Sequence, residues 1–219
     1  MDEQIAFTDT GKQMDNSSNT LLKKAKNNTS PQNNTAVFSF IEKLELESDI
    51  QILEIGSDLM EHLPLLFQKV NETQYYSASI SEAQLQKVLS SNALSNGEKW
   101  SQFIKIEKNG TLGFENDFFG YCFSVNSLYF WENPLQFFKE IYRVLSPGGK
   151  FDIAFVEKNF GGDLPWTQVD FTFYDINQVK DFFHKAGFVN IEVKEQTEEI
   201  TDKNGRAITR PFIIVSGQK

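Results

Sequence analysis

From Thr35 onward the apolar residues recur in two alternating rhythms. Val37, Phe38, Ile41 and Leu44 have helical spacing, with Thr35 placed to cap the first turn. Short apolar runs that read as strands lie at 50–55, 74–80, 103–107, 119–125, 150–156, 189–195 and 211–216. Helical patterns separate most of them, at about 61–70, 81–91, 133–145 and 176–186. Pro64 sits near the N-terminal end of the first of these, where its missing N–H does little harm. This alternation predicts an α/β fold: a doubly wound, mostly parallel seven-stranded sheet with helices on both faces. The last two strands have only the polar turn Asp202-Lys203-Asn204-Gly205 between them, which predicts an antiparallel C-terminal hairpin.

Residues 1–35 lack either rhythm. Asn16-Ser17-Ser18-Asn19-Thr20 and Asn27-Asn28-Thr29-Ser30-Pro31 are polar and turn-prone, with too little apolar surface to offset the entropy of ordering. The sequence therefore predicts a flexible polar leader over 1–35 and one domain over 36–219. Leu21-Leu22-Lys23-Lys24-Ala25-Lys26 has the makings of one short helix inside the leader.

Composition narrows the class. The 219 residues carry 21 basic and 30 acidic side chains, a net charge of −9, and the pI is near 4.8. Such a chain lacks the basic footprint of a nucleic-acid or anionic-lipid binder. Cys122 is the single cysteine, so an internal disulfide is impossible, and two isolated histidines give no metal-ligand spacing. No apolar run nears the roughly 18 residues that span a bilayer. The expectation is a cytoplasmic protein with a small-molecule partner and no nucleic acid, membrane or metal. Aromatic residues are abundant, with 21 Phe, 6 Tyr and 3 Trp, and Phe7 is the sole one in the leader.

Three segments carry a family likeness. Ile50-Gln51-Ile52-Leu53-Glu54-Ile55-Gly56 is a buried strand ending in Glu-Ile-Gly. Ser124-Val125-Asn126-Ser127-Leu128-Tyr129-Phe130-Trp131 is followed by Arg143-Val144-Leu145-Ser146-Pro147-Gly148-Gly149, and Ala186-Gly187-Phe188 precedes the sixth strand. Over about 37–219 the chain resembles the class I S-adenosylmethionine-dependent methyltransferases, Rossmann-like proteins whose seven strands end in an antiparallel hairpin. The Arg-Val-Leu-Ser-Pro-Gly-Gly segment has a structural reason: proline removes a donor and glycine takes positive φ, so the helix stops and the chain turns into a strand. Gly56 differs in kind. At the carboxyl end of the first strand, a residue without Cβ lets a ligand approach the backbone. Glu54 is placed to order the loop amides or meet a ligand ammonium; the plain alternative is a surface carboxylate at a strand end.

The resemblance implies a cofactor site built from Glu54, Gly56, Ser57, Ser79, Ser124 and Asn126. Its cofactor motif is degenerate. Asp58 and Met60 stand where the family has its second and third glycines, and Ser79 stands where an acid takes the ribose hydroxyls. Glu107 or Asn109 falls near the adenine position, and Gly120 replaces the acid that commonly opens strand four. Ser81 and Glu82 read as the cap and first turn of the next helix.

Methyl transfer needs positioning more than acid–base chemistry, so no catalytic residue is singled out. The resemblance puts the acceptor over the ends of strands four and five. There Asn126, Tyr129, Phe130 and Trp131 gather, joined by Trp166, Phe171, Phe173 and Tyr174 from the 160–174 segment. For any single ring a core position is the plain alternative. Tyr129, Trp131 and Tyr174 have polar handles that favour a pocket margin. His62 near the ligand loop and His184 are both expected at solvent-facing positions. Two functions follow: an S-adenosylmethionine-dependent methyltransferase acting on a small molecule, or a non-catalytic binding or interaction protein of that fold without tight cofactor binding. A nucleotide-binding oxidoreductase leaves the terminal hairpin unexplained.

Overall fold

The computed structural model describes residues 35–44, 46, 49–56, 61–69, 74–79, 86, 101–106, 110–161, 172–201 and 206–219. The leader before Thr35 lies outside these residues, as do nearly all of the 81–91 helix and Ser57, Asp58, Met60, Ser81, Glu82, Glu107, Asn109, Trp166 and Phe171. Seven strands follow in chain order: β1 (Gln51–Ile55), β2 (Gln74–Ser79), β3 (Ser101–Lys105), β4 (Phe119–Val125), β5 (Leu145–Phe155), β6 (Val189–Thr201) and β7 (Ala207–Gln218). The helices are α1 (Thr35–Glu42), α2 (Leu63–Lys69), α3 (Pro134–Val144), α4 (Lys158–Gly161) and α5 (Ile176–Ala186). None of the described helices is long and apolar enough to cross a membrane.

The strands form one sheet in the order β3-β2-β1-β4-β5-β7-β6. Neighbours from β3 to β5 are parallel, and β7 pairs antiparallel with both β5 and β6. The expected mostly parallel sheet with a C-terminal antiparallel hairpin is what forms. The chain winds outward from β1 to β3, then resumes at β4 on the other side of β1. That reversal opens a crevice at the carboxyl ends of β1 and β4.

Side-chain alternation fills both faces. Leu53, Ile55, Tyr76, Cys122, Phe151, Ile153 and Val215 face α3 and α5, where Phe138, Ile141, Val179 and Phe183 close a buried cluster. Ile52, Tyr75, Tyr121, Phe123, Ala154 and Ile214 face α1 and α2, against Phe38, Ile41, Leu63 and Leu66. Most of the phenylalanine excess is core. Phe114, Phe118 and Phe119 meet Tyr76 edge-on at 5.3–5.5 Å, and Phe138 meets Phe151 and Phe183 at 5.4 and 4.9 Å.

Local chemistry sets the ends of the helices. Asn133 caps α3 through the Gln136 N–H, with Pro134 opening the first turn. Asp175 and Gln178 form a capping box on α5, which Gly187 ends at φ +106°. The Ser-Pro-Gly-Gly segment acts as expected but belongs to β5, which starts at Leu145 rather than near 150. Leu145 pairs with Phe119 and Lys150 with Tyr121, so residues 146–149 bulge out of register. A Cβ on Gly149 would lie 2.8 Å from the Ser146 carbonyl oxygen. Gly120 also has a packing reason, since its Cβ would come within 3.0 Å of Ile50 Cβ and leaves no space for an acidic side chain.

The hairpin is longer than its apolar pattern. Ile213 pairs with Phe155 near the end of β5 and with Glu195 of β6. Six more β6–β7 pairs, Gln196 with Phe212 through Thr201 with Ala207, then carry the hairpin past the carboxyl edge of the parallel strands.

Candidate active site

The carboxyl edge is drawn together by backbone bonds. Gly56 N–H donates to the Ala78 carbonyl at 2.8 Å, Ile106 N–H to the Ser79 carbonyl at 2.9 Å, and Asn126 N–H to the Ala154 carbonyl at 2.9 Å. Gly56 has φ +83° and Asn126 φ +56°. The first conformation favours glycine, and asparagine is among the few side chains that adopt the second readily. Two left-handed residues thus flank the crevice, one from each side of the winding reversal.

Glu54 is buried, 3 % exposed, and its Oε2 accepts from two side chains. His62 Nε2 lies 2.7 Å from it, and the Tyr75 hydroxyl donates to it. The surface-carboxylate alternative is therefore out. His62 is corrected as well: it is 1 % exposed rather than solvent-facing, because it begins the turn of α2 directly beneath Glu54. Burial, and then the Glu54 charge, push the Tyr75 hydroxyl well above its usual pKa, so it remains a donor. Among the described residues nothing bonds Glu54 Oε1, and His62 Nδ1 is buried without a partner. Ser79 is buried at the end of β2, in register with Lys105. His184 is exposed, as expected.

On the β4 side the polar groups are closed on one another. Trp131 Nε1–H donates to Ser127 Oγ at 3.1 Å, Ser127 and Ser124 hydroxyls bond, and Ser124 Oγ–H donates to the Ile55 carbonyl at 3.0 Å. Ser124 is fully buried and ties β4 to β1, so a cofactor contact there competes with these bonds. The Tyr129 hydroxyl donates to Asn126 Oδ1 at 3.1 Å and accepts from the Val156 N–H at 2.6 Å.

The expected pocket-margin positions of Tyr129, Trp131 and Tyr174 are corrected by their burial, at 7 %, 3 % and 9 % exposed. Trp131 stacks on Phe137 at 4.8 Å, and Tyr174 meets Phe182 edge-on at 5.6 Å. Their polar handles found internal partners, Asn126 and Val156 for Tyr129, Ser127 for Trp131 and Thr172 for Tyr174, which made burial cheap. Phe130, between Tyr129 and Trp131, is instead exposed at 44 %. Among the described residues no group of three His, Cys, Asp or Glu side chains is placed to hold a metal.

This edge agrees with the sequence comparison. Residues 53–153 match the family model described as a methyltransferase domain. The chain has the class I methyltransferase fold. The match runs from the Glu54 strand through β5, so it covers the crevice and both of its flanks. The biotin biosynthesis bifunctional protein of Teredinibacter turnerae is 33 % identical over 94 residues, which is 40 % of this chain and 16 % of that protein. Phosphoethanolamine N-methyltransferase 2 of Caenorhabditis elegans is 32 % identical over 89 residues, 38 % of this chain and 20 % of that protein. The chain thus spans a fifth or less of these relatives through the matched segment. A solved S-adenosylmethionine-dependent methyltransferase from Aquifex aeolicus superposes with TM-score 0.63 over 90 % of this chain and 97 % of that one, at 18 % identity. That likeness is one of fold.

Sequence reasoning named Glu54, Gly56, Ser79 and Asn126, and the structure brings them to one edge. It missed His62 and Tyr75 as partners of Glu54. The signal was present in Tyr75, since a phenol on a buried strand needs a partner within reach.

Proposed function

We propose that the chain is an S-adenosylmethionine-dependent methyltransferase acting on a small molecule in the cytoplasm. The carrying observation is the buried Glu54 carboxylate beside left-handed Gly56 at the winding reversal, inside the matched methyltransferase domain. These residues fit the cofactor. Glu54, clamped through Oε2 by His62 and Tyr75, keeps Oε1 for an ammonium, and Gly56 lets the amino-acid end approach the backbone. Ser57, the next residue in the sequence, lies outside the described residues. Ser79 offers a hydroxyl toward the ribose, and Asn126 borders the crevice from β4.

S-adenosylmethionine supplies an electrophilic methyl on its sulfonium. The protein's part is to orient the acceptor in line with that methyl and to exclude water. The Tyr129–Asn126–Val156 bonds set the floor of the acceptor side, and Phe130 presents a ring to solvent at its edge. The N-methyltransferase among the relatives supports a small-molecule acceptor. One observation favours the second reading, a non-catalytic binding protein: buried Ser79 replaces a charged ribose partner with a neutral one.

Calorimetric titration with S-adenosylmethionine and S-adenosylhomocysteine decides between them. The enzyme reading expects saturable heat and a rise in melting temperature. No heat and no thermal shift up to about millimolar ligand overturns it and leaves the non-catalytic reading.

A further inference from the structure

The overshooting half of the hairpin holds an ion pair that is only half used. Glu198 of β6 and Arg210 of β7 are cross-strand partners, and Glu198 is 4 % exposed. Arg210 Nε donates to Glu198 Oε1 at 2.9 Å, and Arg210 Nη2 donates to the same oxygen. Glu198 Oε2 is buried with no hydrogen-bond partner among the described residues. A carboxylate oxygen out of water without a donor is costly, and a folded protein seldom keeps one without reason.

Position gives the reason. The pair lies three β6–β7 steps beyond Ile213, which itself pairs with Phe155 at the end of β5. It therefore stands over the carboxyl edge, on the acceptor side. Burial dominates the rise in the Tyr129 hydroxyl's pKa, and the charges of Arg210 and Glu198 also act on that hydroxyl. The hairpin pair and the Tyr129–Asn126 pair are thus electrostatic neighbours. Tyr129 packs on Phe173 with ring centres 5.0 Å apart, so aromatic faces border the same region.

We propose that Glu198 Oε2 is the anchor for an amine group of the acceptor, with Arg210 holding the carboxylate in place through Oε1. The chemistry favours nitrogen. The open oxygen accepts only, so its partner must donate. An ammonium or amine N–H forms a charge-assisted bond where a hydroxyl forms an ordinary one, and a carboxylate is repelled. Neighbouring rings reinforce a cation, and the chain's net charge of −9 draws one in. The acceptor class is an amine-bearing small molecule. This inference rests on the acceptor side proposed above but not on cofactor binding.

The test uses the full chain and one matched set: 2-phenylethylamine, 2-phenylethanol and phenylacetate, titrated calorimetrically without cofactor. The expected result is at least about tenfold tighter binding of the amine than of either partner. In Glu198→Gln that preference falls below about threefold, while Glu192→Gln, an exposed change on the same strand, keeps it. No amine preference in the unaltered chain overturns the proposal, as does tighter phenylacetate binding, which would assign the anchor to Arg210. An unchanged preference in a folded Glu198→Gln protein also overturns it. Should that variant not fold, the head-group comparison on the unaltered chain decides alone. S-adenosylhomocysteine is titrated in parallel: its failure to bind counts against the methyltransferase reading and leaves the amine result standing.

Discussion

Glu140 and Glu198 are both carboxylates paired with arginine, one within a helix and the other across a hairpin. Glu140 uses both oxygens. Oε1 accepts from the Leu112 N–H at 2.9 Å and from Arg143 at 2.7 Å, and Oε2 accepts from Arg143 Nε at 2.8 Å. Arg143 continues to Asn116 Oδ1 and to the Phe114 carbonyl, both at 2.8 Å, so the pair clamps the loop before β4. Glu198 directs its bonds to one oxygen, and the other has no partner among the described residues. The same division separates Trp131–Ser127–Ser124, a closed chain, from Glu54, whose Oε1 has no bond among the described residues. On the reading proposed above, closed networks hold the fold and open ones are where a ligand would complete the bonding.

The largest effect tests a closed network. Trp131→Ala should cost about 3–5 kcal/mol of stability, because it empties a buried site stacked on Phe137 and removes one of the two partners of the Ser127 hydroxyl. Urea unfolding reads this, and a near-unchanged midpoint would break the division. Next, Arg143→Met should cost about 2 kcal/mol by unfastening the loop clamp. Arg143 also holds the Glu140 carboxyl below its ordinary pKa, mainly through their hydrogen bonds. Protonating Glu140 is therefore harder in the folded chain. That stabilisation is full above the unfolded-state value and drains away as pH falls through the folded one. Unfolding curves between about pH 7 and pH 3 should show a shallower acid loss in Arg143→Met than in the parent.

Open networks should behave in the opposite sense. Glu54→Gln should weaken S-adenosylmethionine binding about tenfold, some 1.4 kcal/mol, with the fold retained by circular dichroism. A variant that binds as tightly as the parent would return Glu54 to a structural role. The smallest effect is Ser124→Ala, about 1 kcal/mol of stability. Unchanged cofactor affinity in that variant places Ser124 with the closed group, and a loss of affinity moves it to the open one.

The fold was legible because both faces of the sheet are lined by residues of one kind. Ile52, Leu53 and Ile55, or Phe119 through Phe123, announce a strand buried on both sides, and the helices between carry one apolar stripe each. The distal hairpin was not legible for the complementary reason. Glu195 to Thr201 and Ala207 to Arg210 pair through the backbone while carrying mostly polar side chains, so no alternation marks them. Glu54 and Gly56 were found because strand and turn lie adjacent in sequence. Glu54's partners were missed because a histidine eight residues later and a tyrosine on the next strand meet it through packing alone. The polar handles of Tyr129 and Trp131 pointed to an edge, but Asn126, Val156 and Ser127 satisfied them inside.

Tyr129 has one further consequence. Its hydroxyl receives the Val156 N–H and its carbonyl receives the Thr172 N–H at 3.2 Å, while Lys158 N–H reaches the Tyr174 carbonyl at 3.1 Å. Both feet of the 157–171 segment are therefore pinned to one residue and to each other. A hinge at the base of that segment would have to rupture several backbone bonds at once. In hydrogen exchange the amides of Val156, Lys158 and Thr172 should then be slow, and loss of that protection on weakening the Tyr129 bonds would show that they share one anchor.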